Sequence, residues 1–288
     1  MWGPLLAGLC LGAVLWYRSR RRHAKRGWDD VLSPKRNGQA DHGVLVLIAH
    51  PDDESMFFGP TLVSLLKRYA PSQIHLLCLS NGTMFFAWSM VLAQNELKEK
   101  GKRADALSAP GNADGLGQIR AAEWTSVCRT VFRLPHFALF DLPALQDGAP
   151  WRTADILDVL RAYLVKHSSA ATSSPLTTLI TFDEGGVSGH TNHIGCARAA
   201  MAWHDEAPAH RQVFLLQSLP IWIKYATGIG QILRLCPDGA VHCSITSLQE
   251  WSQLQRAMRL HASQYVWFRR LYVLFSSYMI YNILSAYP

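Results

Sequence analysis

Apolar and polar residues alternate along the chain in blocks that predict strands interleaved with helices. Val44 to Ile48 are five consecutive aliphatic residues after Gly43, the pattern of a buried parallel strand. Met56, Leu62, Val63, Leu65 and Leu66 recur at helical spacing within 55–69; Pro60 places the helix start near itself and Pro71 ends it. A second strand is predicted over 74–79, with Ser80-Asn81-Gly82 as its exit turn. Helical spacing returns over 118–130 and 154–166, with a short strand at 137–140 between them. Thr177 to Phe182 is rich in β-branched residues and predicts a further strand, followed by a helix over 194–204. Segments 213–216 and 221–225 fit late strands or short helices equally. A helix is predicted over 248–268. The aromatic-rich stretch 271–287 is expected to dock on the core or lie in a membrane interface, because Ser276, Ser277, Asn282 and Ser285 interrupt it as a span. Alternating strands and helices make the class α/β.

The N-terminus departs from this pattern. Trp2 to Tyr17 is an uncharged, largely apolar run of sixteen residues. That is near the lower limit of the roughly 17–25 residues a hydrocarbon core requires. Six of the nine residues from Arg18 to Arg26 are basic, and they follow the apolar run, whereas a cleaved signal peptide carries its charges first. The order predicts an uncleaved transmembrane anchor over 1–17 with the remainder in the cytosol. Residues 18–41 read as a basic flank and linker, and 42–288 as one folded domain.

The net charge of +7 is largely this local cluster, so it does not argue for nucleic-acid binding, and no nucleic-acid motif accompanies it. Six cysteines without a Cys-x-x-Cys pair suit buried thiols in a reducing compartment.

The chemistry concentrates at two strand ends. The first strand opens into Ala49-His50-Pro51-Asp52-Asp53-Glu54. His50 and Asp53 are a sensible pair for a divalent metal, Zn²⁺ first among them, and Asp52 is left to move protons. Taken alone, the stretch equally fits a turn in which Asp52 or Asp53 caps the next helix. The strand at 177–182 opens into Asp183-Glu184-Gly185-Gly186-Val187-Ser188-Gly189-His190-Thr191-Asn192-His193. His190 and His193 share a face if a helix begins there. One strand end supplying His and Asp and another supplying His give the donor set of a catalytic zinc site with an open position.

These motifs resemble the LmbE-like zinc-dependent N-acetylglucosamine deacetylases. The second motif, with Leu79-Ser80-Asn81-Gly82 and Trp267-Phe268-Arg269-Arg270-Leu271-Tyr272, resembles more specifically the eukaryotic N-acetylglucosaminyl-phosphatidylinositol de-N-acetylases of GPI-anchor biosynthesis. The resemblance runs from about Gly43 to the C-terminus. It implies a Rossmann-like, mostly parallel sheet with helices on both faces. It implies Zn²⁺, or another divalent metal, on His50, Asp53 and His193, with Asp52 as the base and His190 stabilising the oxyanion or acting as the acid. Arg120 and Asn192 are expected at the substrate, and Asp183 is expected to orient His190. The implied substrate is a glycolipid at the endoplasmic reticulum membrane, with a single-pass anchor and a cytosolic catalytic domain. Residues 83–111 interrupt the family pattern and read as an insertion. Two other readings stay open: a deacetylase of another N-acetylglucosamine conjugate, and a membrane-tethered variant disabled by the insertion.

Overall fold

The structure is a computed structural model that describes residues 42–82, 116–147, 150–168, 175–225, 240–245 and 247–288. The expected anchor, the basic flank and linker, and the 83–111 insertion lie outside the described residues. Among the described residues no helix is long and apolar enough to cross a membrane.

The aliphatic and β-branched runs form the strands they predict. β1 (Gly43–Ile48), β2 (Ile74–Cys78), β3 (His136–Leu139), β4 (Leu176–Phe182) and β5 (Gln212–Leu216) pair parallel with one another. Every residue of β1 is buried, as a strand covered on both faces must be. Two strands unforeseen from the periodicity, β6 (Val241–Ser244) and β7 (Tyr281–Ala286), complete the sheet. β7 runs antiparallel to both β5 and β6. The order is β3-β2-β1-β4-β5-β7-β6. From β1 the chain winds outward through β2 to β3, then returns to β4 on the other side of β1. Right-handed crossovers in these opposite directions place their helices on opposite faces. The reversal opens a crevice at the carboxyl ends of β1 and β4, where doubly wound sheets bind ligands.

The helices follow the apolar spacing. Pro60 lies in the first turn of α2 (Gly59–Leu66), which follows the single turn of α1 (Asp53–Met56). α3 (Gly117–Thr130) precedes β3. α4 (Thr153–Ser168) and α5 (Thr191–Asp205) pack on each other, and α5 also packs on β4 and β5. α6 (Ile221–Lys224) resolves one of the two ambiguous segments as a helical turn.

The single helix expected over 248–268 is instead α7 (Leu248–Leu260) and α8 (Trp267–Phe275). The interruption has a tertiary cause. His261 Nε2 bonds Glu54 Oε1 at 2.7 Å with both side chains fully buried. Two residues on, Ser263 N and Oγ donate to the Glu123 carboxylate at 2.8 and 2.6 Å. The helix stops where these side chains are claimed by the core.

His75 and His136 face each other across β2 and β3, their rings stacked 4.5 Å apart, with the His167 ring 5.1 Å from His75. The Tyr163 hydroxyl lies 2.9 Å from His75 Nδ1. Burial first, then the neighbouring imidazoles His136 and His167, push the His75 pKa down to about 3. A folded-state pKa below the unfolded value, about 6.5, stabilises the fold above that value and loses the benefit as pH falls through the window between them. Between about pH 7.5 and pH 5, wild type is therefore expected to lose on the order of 2 kcal/mol more stability than His75→Gln. Urea unfolding at the two pH values measures this; equal losses would show that His75 is not held neutral by the fold.

Candidate active site

β1 ends directly in the first motif. Asp52 sits at the N-cap of α1 with φ 99°. Positive φ is uncommon for a residue other than glycine, and Asp is among the few types that tolerate it. The strain, about 1–3 kcal/mol, is held by a fixed partner: the Asp52 amide donates to Glu54 Oε2 at 3.1 Å, and Glu54 is the carboxylate buried against His261. Leaving one partner of a buried hydrogen bond unsatisfied costs about 1–3 kcal/mol, so Glu54 and His261 brace the turn. The Asp52 carboxylate makes no capping bond; it is buried and forms an ion pair with Arg269 Nη1 of α8. The helix-capping alternative for Asp52 is thereby answered.

Asp53 turns back toward β1, where its Oδ2 accepts from the amides of Ala49 and His50 at 3.1 and 2.8 Å. The same carboxylate lies between two imidazoles: His50 Nδ1 is 3.7 Å from Oδ2, and His193 Nε2 is 3.4 Å from Oδ1. Burial alone would raise the Asp53 pKa, but the imidazoles of His193 and His50 outweigh it and hold the carboxyl below its ordinary range.

β4 delivers the second motif through a tight loop. A Cβ on Gly185 would stand 2.6 Å from Ser218 Oγ, and Gly186 adopts φ +54°, so glycine is required at both positions. Val187 has φ 65° in the same loop, a rare conformation for a β-branched residue. Its amide is anchored by Ser218 Oγ at 2.8 Å. The strained non-glycine residues Asp52 and Val187 thus flank the same crevice.

His190 caps α5 and His193 lies in its first turn. The His193 ring stacks on Phe182 with centroids 3.8 Å apart, and its Nδ1 meets Gly186 O at 3.2 Å. With Nδ1–H donated to that carbonyl, the Nε2 lone pair is left facing the site. Nε2 is buried without a hydrogen bond, facing Asp53 Oδ1. A ring nitrogen and a carboxylate oxygen opposed at this distance are placed to share a cation. Ligand nitrogens of His50, His190 and His193 also lie within 4.8 Å of one another. Neutral imidazole nitrogens with one carboxylate are a good donor set for a divalent metal. Burial first, then the neighbouring imidazoles of His193 and His50, lower the His190 pKa.

Asp147 went unrecognised in the sequence. Its Oδ1 lies 3.5 Å from His50 Nε2 and 3.9 Å from His190 Nε2, and accepts from Asn192 Nδ2 at 2.9 Å. Its loop follows β3 and is pinned by Trp151 Nε1 donating to Gln146 O at 2.8 Å. Asp141 and Asp147 both precede Trp151 in one loop, and the local sequence does not say which carboxylate reaches the site. The Trp267-Phe268-Arg269-Arg270-Leu271-Tyr272 motif likewise does not say that Arg269 pairs with Asp52.

The remaining expected residues take different positions. Asn192 is fully buried, and its amide is spent on Asp147 and on His50 Nε2 at 3.2 Å. Asp183 bonds Gly185 N at 3.1 Å and Ser218 N at 2.6 Å, bracing the loop exit. The described contacts of Asp183 are with that loop, and the carboxylate beside His190 is Asp147 instead. Arg120 of α3 donates to Gly82 O at the exit of β2, and a Cβ at Gly82 would lie 3.5 Å from His50 Cβ. Arg120 therefore stands on the rim of the crevice.

Residues 45–204, more than half of the chain, match the family model described as GlcNAc-PI de-N-acetylase. The chain belongs to the GlcNAc-PI de-N-acetylase family. Among relatives of this GlcNAc-PI de-N-acetylase family member, the probable N-acetylglucosaminyl-phosphatidylinositol de-N-acetylase of Schizosaccharomyces pombe is 34% identical over 258 residues. The alignment covers 85% of this chain and 87% of that one. The N-acetylglucosaminyl-phosphatidylinositol de-N-acetylase of Bos taurus is 31% identical, covering 98% of this chain and 96% of its own. Among solved structures, N,N'-diacetylchitobiose deacetylase from Pyrococcus horikoshii superposes with a TM-score of 0.53 at 15% identity. It covers 92% of this chain and 91% of that one, a likeness of fold alone. The GlcNAc-PI de-N-acetylase match contains every histidine and aspartate of the cluster and ends before Arg269.

Proposed function

We propose that the chain hydrolyses the N-acetyl group of N-acetylglucosaminyl-phosphatidylinositol, releasing acetate and glucosaminyl-phosphatidylinositol, a step in GPI-anchor biosynthesis. The observation that carries the chemistry is the convergence of His50, Asp53, His190 and His193 beside buried Asp52, at the switch point of the sheet. Membership of the family supports the substrate.

His50, Asp53 and His193 would hold a divalent metal, Zn²⁺ in this proposal. Bound there, it would polarise the acetamide carbonyl and acidify a water molecule. Asp52 accepts the proton of the attacking water and returns it to the departing amine. Arg269 keeps the Asp52 carboxylate oriented in the crevice. His190, half-exposed at the mouth, donates to the oxyanion that forms at the carbonyl oxygen. Asn192 and Asp147 position the His50 ring from behind, which fixes its orientation. Arg120 on the rim is placed to meet a hydroxyl or phosphate of the substrate through charge-assisted hydrogen bonds. The site of action is the endoplasmic reticulum membrane, with the apolar run 2–17 as a single-pass anchor and the catalytic domain in the cytosol.

Acetate release from N-acetylglucosaminyl-phosphatidylinositol by the purified full-length chain, before and after chelation, tests the proposal. Release that chelation abolishes and added Zn²⁺ restores is expected. Absence of release from wild type and equally from a chain lacking residues 83–111 would reject the substrate; release only on that deletion would mark the insertion as a block.

A further inference from the structure

α8 is amphipathic in the unusual sense. Trp267, Phe268, Leu271, Leu274 and Phe275 occupy one stripe of the helix and are all exposed, Trp267 at 72%. Tyr272 and Val273 on the other side are buried. Surface helices normally turn the apolar stripe inward. α6 repeats the arrangement beside it: Ile221, Trp222 and Tyr225 are exposed, Ile221 at 75%, while Lys224 is buried. The two helices are joined. The Tyr225 and Tyr272 rings meet edge to face at 6.3 Å, and Ser277 Oγ donates to Ile223 O at 2.7 Å. Together they make an exposed apolar surface larger than scattered single side chains account for.

This surface borders the active site through two direct contacts. Arg269, within α8, forms the ion pair with Asp52. Lys224 Nζ, within α6, donates to Ser188 Oγ at 2.7 Å, in the loop that carries His190. The charge pattern selects an occupant. The chain has no Asp or Glu after Glu250 and the 217–225 segment has none, whereas Arg270 on α8 is exposed beside the stripe; Arg269 is spent on Asp52 and Lys224 is buried. Exposed Trp, Phe and Tyr beside a basic group suit the interface of an anionic lipid leaflet.

We infer that α8 and α6 form a plate that seats the mouth of the catalytic crevice on an anionic phospholipid leaflet, independently of any N-terminal anchor. The substrate half of the inference rests on the deacetylase reading: an acylated substrate keeps its tails in the bilayer and lifts only its sugar into the crevice. The plate sets the height and tilt of the crevice over the leaflet, which a tether at residues 1–17 separated by a linker does not.

Two measurements on the full-length chain test this in phosphatidylcholine vesicles containing phosphatidylinositol. The first compares turnover of N-acetylglucosaminyl-phosphatidylinositol in vesicles with turnover of the same headgroup freed of its acyl chains. Phe268→Ser combined with Leu274→Ser is expected to lower vesicle turnover about tenfold or more while leaving the soluble headgroup unaffected. Equal loss on both substrates, or on neither, overturns the plate. The second reads the quenching of Trp267 by brominated lipid, isolated as the difference between wild type and Trp267→Phe. Quenching is expected; its absence overturns the plate, whether the stripe is covered by a second copy or by another segment of the chain. Because this readout needs no turnover, Trp267 still decides the plate if wild type is inactive on both substrates; inactivity shared by the chain lacking residues 83–111 would then reject the deacetylase reading.

Discussion

Asp52→Asn is expected to retain its metal and lose about 10²–10⁴-fold in turnover, the usual contribution of a general base. The substitution is nearly isosteric, and Asn tolerates the positive φ that Asp52 adopts. The Asp52 amide keeps its bond to Glu54, and the Asn oxygen still accepts from Arg269. What is removed is the ability to take a proton. Acetate release under saturating substrate, with metal content measured on the same preparation, separates the two effects. Near-normal turnover would remove Asp52 from the role of base; loss of metal would make it a ligand.

His193→Ala is expected to lose the metal and, with it, measurable hydrolysis. The ring is held on three sides, by Phe182 beneath it, by Phe57 at 5.6 Å and by the Gly186 carbonyl, which aims Nε2 into the site, and alanine offers no donor there. His190→Ala provides the contrast. If the ligands are His50, Asp53 and His193, that variant keeps its metal and loses about 10²–10³-fold in turnover, as removal of an oxyanion donor does. Elemental analysis of both variants decides between donor sets. Full metal in His193→Ala rejects that ligand; loss of metal in His190→Ala assigns the three clustered imidazoles as the ligand set. A thermal melt of each variant checks that the stacked core around Phe182 is intact.

The parts legible in the sequence were those encoded over a few neighbouring residues. The aliphatic run 44–48 and the β-branched run 177–182 predicted β1 and β4 because a buried parallel strand needs apolar residues on both faces. His50, Asp52 and Asp53, and separately His190 and His193, declared themselves because each set sits within one turn. Pro60 marked the start of α2 through its own fixed φ. Parallel strand ends then brought the two sets together, as their positions after β1 and β4 implied.

What only the tertiary structure decided depends on contacts between segments distant in the chain. Asp147 reaches His50 and His190 because the loop after β3 crosses back over the crevice, and nothing in its local sequence distinguishes it from Asp141. Arg269 meets Asp52 only because the helix predicted through 268 breaks at His261, whose ring is drawn to Glu54, 207 residues away. Asn192 turned inward to His50 and Asp183 toward Ser218 because side-chain partners follow from sheet order, which periodicity does not encode. The stretch 281–286 became a strand because β5 and β6 offered two open edges for its backbone to pair. Hydrophobic period and turn chemistry act over a few residues and set the elements; the partners of a buried polar group are chosen by the packing of the whole chain, since each must find its hydrogen bond wherever the fold supplies one.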